Sequence, residues 1–127
     1  MKEGSDVTII ACGPVVYEAM QAHDQLKGLG ISARVIDMHT VKPLDEAAVV
    51  KAAKETGAIV TVEEAQVFGG LGGAVAEALV KAKPVPVEMM GAQDTFLECG
   101  TPDELMIKYG LTAKGIVAAV QKVLARK

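Results

Sequence analysis

Apolar positions along this chain change period several times, and each change marks a new element. Val7 to Cys12 is a short, β-branched, almost wholly apolar run, the pattern of a strand covered on both faces. Beyond Gly13 and Pro14, the residues Val15, Ala19, Ala22 and Leu26 recur at spacings of four, three and four, one stripe of a helix. Pro14 suits the first helical position, where no N–H is needed, and Gly28 and Gly30 end the helix by accepting left-handed backbone. Ile31 to Met38 reads as a second strand. Asp45 then caps a second helix with Ala48, Val49, Ala52 and Ala53 on its inner face, closed by Gly57.

The second half of the chain follows the same rhythm. Ala58 to Val62 is a third strand, a glycine-rich turn follows it, and a third helix runs from about Leu71 to Ala82. Val85 to Met90 is a fourth strand. Thr101-Pro102-Asp103-Glu104 is a capping box with Pro at the first helical position. Thr112 caps a last helix with Ile116, Val120, Val123 and Leu124 facing inward.

Alternating strands and helices predict an α/β fold built from right-handed crossovers around a mainly parallel sheet of four strands. Segments 7–12 and 58–62 are apolar enough to be covered on both faces, so they belong at the centre. Segment 31–38 carries Arg34 and Asp37, and segment 85–90 carries Pro86 and Glu88. Proline is confined to sheet margins, so these two strands flank the others, in the order 2-1-3-4. In such a sheet ligands bind beyond the carboxyl ends of the strands, where the winding reverses. That crevice lies between Cys12-Gly13-Pro14 and Glu63 to Gly73, with the loops 39–45 and 91–100 nearby.

The candidate chemistry there is thin. Gly69-Gly70-Leu71-Gly72-Gly73 opens a helix, where backbone amides attract anions. Yet Val75 stands where a dinucleotide loop needs Gly or Ala, no Gly-Lys-Ser/Thr is present, and two glutamates guard the mouth. The glycines read as a sharp turn with close packing. Glu63 and Glu64 are adjacent on a strand and face opposite sides; both read as solvated or interface-paired carboxylates. His23 flanks the apolar stripe of the first helix as a satisfied histidine, and His39 has no nucleophile partner. Between Leu71 and Val80 only Glu77 is charged. A helix so apolar is either left with small alanines exposed or covered by another polypeptide.

Composition narrows the field further. The 127 residues form a single domain, 1–127, with half the residues hydrophobic and a net charge of −3. Such a balance supplies no basic field for a nucleic acid. Two Phe, two Tyr and no Trp make no base-stacking platform. No apolar run approaches membrane-spanning length and no secretory leader is evident. Cys12 and Cys99 are isolated thiols, consistent with a cytoplasmic setting and no zinc site.

The residues Val60-Thr61-Val62-Glu63-Glu64, Gly69-Gly70-Leu71-Gly72 and Ala74-Val75-Ala76-Glu77 resemble the C-terminal domain of transketolases. The likeness runs in order through Arg34-Val35-Ile36-Asp37-Met38, Val41-Lys42-Pro43-Leu44-Asp45, Gly100-Thr101-Pro102-Asp103-Glu104-Leu105 and Tyr109-Gly110-Leu111-Thr112-Ala113-Lys114-Gly115-Ile116. The form it resembles most is the C-terminal subunit of a split transketolase. 1-Deoxyxylulose-5-phosphate synthases and 2-oxoacid dehydrogenase β subunits share the domain and remain alternatives, as does an autonomous nucleotide- or sugar-phosphate-binding module.

The resemblance implies a Rossmann-like three-layer sandwich with a possible extra antiparallel edge strand. It implies a fragment of a longer transferase that moves two-carbon ketol units between sugar phosphates, as in the pentose phosphate pathway. That parent uses thiamine diphosphate and a divalent metal, Mg, held by a Gly-Asp-Gly motif that this chain lacks. The implied partners are a pyrimidine-binding domain, an N-terminal diphosphate-binding subunit or domain, and a second copy forming a homodimer, with no nucleic acid and no membrane. This domain is then expected to carry no catalytic, cofactor-binding or metal residue of its own, and the isolated chain to be inactive. Its expected contacts to the missing polypeptide are Glu64, Phe68, Gly69, Gly70, Leu71 and Phe96. A Leu71→Asp change is expected to weaken assembly while sparing the fold.

Overall fold

The computed structural model describes residues 1–93 and 99–127. Its elements are β1 (Val7–Ala11), α1 (Val15–Gly28), β2 (Ala33–Asp37), α2 (Glu46–Thr56) and β3 (Ile59–Gln66), then α3 (Leu71–Ala82), β4 (Val87–Ala92), α4 (Pro102–Lys108) and α5 (Ala113–Leu124). The strands form a parallel sheet in the order β2-β1-β3-β4, as the apolar patterning of the strands predicts.

Strand parity builds the two cores. Val7, Ile9 and Ala11 of β1 face the same side as Val60 and Val62 of β3, where they meet Val15, Ala19, Ala22 and Leu26 of α1 and Ile116, Val120 and Val123 of α5. Ile10 and Ile59 face the other side and meet Val49 and Ala53 of α2 with Leu71, Val75, Ala78 and Leu79 of α3. Each fully buried Val, Leu or Ile among them contributes about 1.5–3 kcal/mol, and each alanine roughly 1 kcal/mol or less. The predicted caps form: Asp45 Oδ1 accepts the Ala48 N–H at 3.0 Å, and Thr112 Oγ1 accepts that of Gly115 at 3.2 Å. Thr101 and Glu104 make the reciprocal capping box at the start of α4.

Some strand boundaries differ from expectation, and the pairing shows why. β3 runs four residues further, to Gln66, because a bulge between Val62 and Gln66 lets it stay paired with β4. β4 starts after Pro86, whose carbonyl accepts the Ile59 N–H at 3.1 Å; the proline thus introduces the strand instead of interrupting it. Glu88 on that outer strand is held by Lys122 and Arg126 of the C-terminal helical segment, at 3.0 and 2.8 Å. The extra antiparallel strand appears as a single bridge between Lys2 and Val35, on the free side of β2, with N–H···O distances of 3.2 and 2.9 Å. Arg34 beside it is flanked by Glu3 and Glu55.

Helix α3 is not apolar all round once folded. Leu71, Gly72, Val75, Ala78 and Leu79 are buried on the sheet, while Glu77, Val80 and Lys81 are exposed.

Candidate functional site

The winding reverses between β1 and β3, and the crevice at their carboxyl ends is negatively charged. Cys12 follows β1 there, its N–H donating to the Val62 carbonyl at 3.3 Å. Burial pushes its thiol pKa up, and Glu63, Asp37 and Glu64 push it further in the same direction. A thiol so placed stays protonated and is a poor nucleophile at neutral pH. The same carboxylates oppose an incoming phosphate.

The amides that open α3 already hold an anion, and it is the chain's own. Glu63 lies on the α3 face of β3, by the parity that puts Ile59 there. Its side chain is 2% exposed. The Leu71 N–H donates to Oε1 at 2.9 Å and the Gly72 N–H to Oε2 at 2.8 Å. The positive end of the helix dipole and two charge-assisted hydrogen bonds compensate the burial of this carboxylate. Gly70, the residue before α3, has no side chain to cap the helix. A Cβ there would collide with Glu63 Oε1 and approach the Gln66 carbonyl to 2.9 Å. The glycines are therefore required for close approach, as the sequence suggests, but what approaches is an internal carboxylate. Glu63 is neither solvated nor interface-paired; sequence reasoning missed this role.

Glu64 points the other way and is exposed. With Leu105, Met106 and Tyr109 it lines an apolar cleft of about 280 Å³ below α4. Phe68 stands 68% exposed at the tip of the β3–α3 turn, beside Gly69, whose φ of +77° suits glycine. Gly69 and Gly70 also border an open groove of about 440 Å³ between the 41–46 segment and α3. The structure thus brings Phe68, Gly69 and Gly70 together at the turn, while Glu64 lies within β3 and lines the cleft on the other side of the sheet. Leu71 drops out of the exposed set: it is fully buried in this domain's own core. Phe96 lies outside the described residues.

The histidines are accounted for locally. His23 Nδ1 lies 3.0 Å from the Ala33 carbonyl, and His39 Nδ1 lies 2.8 Å from Thr40 Oγ1. Among the described residues no group of three or more His, Cys, Asp or Glu side chains is placed to hold a metal. No helix among them is long and apolar enough to cross a membrane. A diphosphate does not fit either: the helix terminus that would receive it is filled by Glu63, and the crevice repels it.

These features define a class: a doubly wound α/β domain of Rossmann-like type whose usual ligand corner is closed from within. The chain belongs to the family of transketolase C-terminal domains, whose profile matches residues 1–116. It is 52% identical over all 127 residues to the 6-deoxy-6-sulfo-D-fructose transketolase subunit SqwH of a Clostridium species, covering 39% of that protein. It is 49% identical over 114 residues, 90% of this chain and 36% of the relative, to a subunit of the apulose-4-phosphate transketolase of Phocaeicola vulgatus. A 1-deoxy-D-xylulose-5-phosphate synthase of Trichormus variabilis shares 44% over 128 residues, all of this chain but 20% of the enzyme. A solved structure described as a split gene transketolase, inactive beta4 tetramer, superposes with a TM-score of 0.93 at 51% identity, over 98% of this chain and 41% of that one. The chain therefore spans about two-fifths or less of the length of these relatives.

Proposed function

We propose that the chain is the C-terminal scaffold and assembly domain of a split-type transketolase, a thiamine diphosphate- and Mg-dependent enzyme that moves two-carbon ketol units between sugar phosphates. In this reading the catalytic groups, the cofactor and the metal are held by other parts of the enzyme. The domain's own contribution is to dock on a pyrimidine-binding domain and, with the diphosphate-binding subunit, to complete a homodimer. Phe68, Gly69 and Gly70 form the docking surface, and Glu64 offers a separate contact on the other face of the sheet.

The observation that carries this reading is the Glu63 carboxylate on the Leu71 and Gly72 amides. It fills from within the helix terminus where this type of fold commonly receives a phosphate, and it argues against an autonomous nucleotide- or sugar-phosphate-binding module. The neighbouring relatives act on different sugars by name, so no particular sugar is carried over. A 1-deoxyxylulose-5-phosphate synthase parent is the second reading, favoured by 44% identity over the whole chain.

Calorimetric titration of the chain with thiamine diphosphate and Mg²⁺, with nucleotides and with sugar phosphates is expected to give no binding heat. Saturable heat with any of them overturns the scaffold reading. Light scattering on the intact subunit fixes the number of copies, since the superposed structure is described as a tetramer.

A further inference from the structure

We infer that Glu63 is a positioning residue for the assembly surface: its buried carboxylate, held by the amides that open α3, sets the turn from which Phe68 faces outward. The inference rests on the reading of that turn as a docking surface. Glu63 does more than cap the helix. A side-chain cap at position 70 would carry a Cβ within 2.9 Å of the Gln66 carbonyl, and it would tie the helix only to itself. Glu63 reaches from β3, eight residues before Leu71, so it ties the helix start to the sheet.

The other end of the turn is pinned as well. Val67 is buried, and its N–H donates to the Ala92 carbonyl at 3.0 Å. Between those anchors lie only Phe68, Gly69 and Gly70, and Phe68 has no slack to fold back over the domain. The surroundings are shaped to keep the carboxylate in place. A Cβ at Gly70 would strike it, and one at Gly91 would come within 3.2 Å of Glu63 Cγ and closer still to the Ala65 carbonyl. An aromatic side chain left exposed on a turn held this firmly is preorganised for docking, because little ordering remains to be done when a partner arrives.

Glu63→Gln tests this, since it keeps size and loses charge while turning an amide against one of the donors. Hydrogen exchange in residues 68–72 is expected to quicken by about tenfold, the scale of losing a charge-assisted hydrogen bond, with β1 unchanged. Association with a pyrimidine-binding domain supplied in trans is expected to weaken by about the same factor. Formate, but not chloride at equal ionic strength, is expected to restore protection in Glu63→Ala. Phe68→Ala is expected to weaken association with normal exchange.

Unchanged exchange at 68–72 in Glu63→Gln, or undiminished association despite faster exchange, overturns the positioning role alone. Full-strength association of Phe68→Ala overturns the docking reading and the inference with it. Glu63→Asp, which keeps the charge but draws it back by one methylene, serves the same readouts if the glutamine variant does not fold.

Discussion

Glu63 and Glu64 are chain neighbours with opposite surroundings because successive strand residues face opposite sides of a sheet. Both bear on Cys12, whose thiol is held neutral first by burial and then by the fields of Glu63, Asp37 and Glu64. Iodoacetamide at pH 8 is therefore expected to label Cys12 several-fold more slowly than the exposed Cys99. The folded chain holds the Cys12 proton more tightly than the unfolded chain does. Its contribution to stability is complete below the ordinary thiol value and declines as pH rises through the raised one. Denaturant melts at pH 7 and pH 10 are expected to show this loss in the parent chain and a smaller one in Cys12→Ala. Parity made the divergence of the two glutamates legible in the sequence. The role of Glu63 was not, because it depends on knowing that α3 lies on the Ile59 face of β3.

At the scale of the element, α3 and α5 begin alike. Each receives a glutamate from elsewhere in the fold: Glu63 on α3, and Glu18 of α1 on α5, whose Ala113 N–H donates to it at 2.7 Å. Helix starts are thereby used as joints, α3 to the sheet and α5 to its neighbour α1 in the same layer. The matched changes Gly70→Ala and Gly73→Ala separate the joint from ordinary helix propensity. A Cβ at 73 meets its nearest atom, the Val67 carbonyl oxygen, only at 4.0 Å, so alanine is expected to stabilise by about 0.5–1 kcal/mol. At 70 it would displace the carboxylate, with an expected loss of about 2 kcal/mol or more; urea denaturation measures both. Caps and strand order could be read from Asp45, Thr101, Thr112 and the apolar runs because those signals are local. The bulge in β3 could not, since its cause is pairing with a strand more than twenty residues away.

For the whole molecule, the distinction between core and contact decides how two acidic substitutions behave. Leu71→Asp would bury a carboxylate beside Glu63 in the α2–α3 core, and it is expected to destabilise by about 4 kcal/mol or more, enough to unfold many domains. The expectation that it spares the fold is thus corrected. Phe68→Asp removes only exposed apolar surface, so its melting temperature is expected to stay within about 2 °C of the parent, surface changes usually being small. Its association with the rest of the enzyme is expected to fall. Thermal melts and light scattering on the two variants separate the roles; equal melting temperatures for both would contradict the assignment of Leu71 to the core.

Arg126 stands at the sheet's outer margin. Besides its ion pair with Glu88, its guanidinium donates to the Val87 carbonyl at 2.6 Å, at the outermost strand of the sheet. Unclaimed backbone on such a margin invites a strand from another molecule to zip alongside and seed aggregation. A tethered cation that has already taken one of those carbonyls acts as a stopper, steering crowded copies away from sheet-to-sheet adhesion.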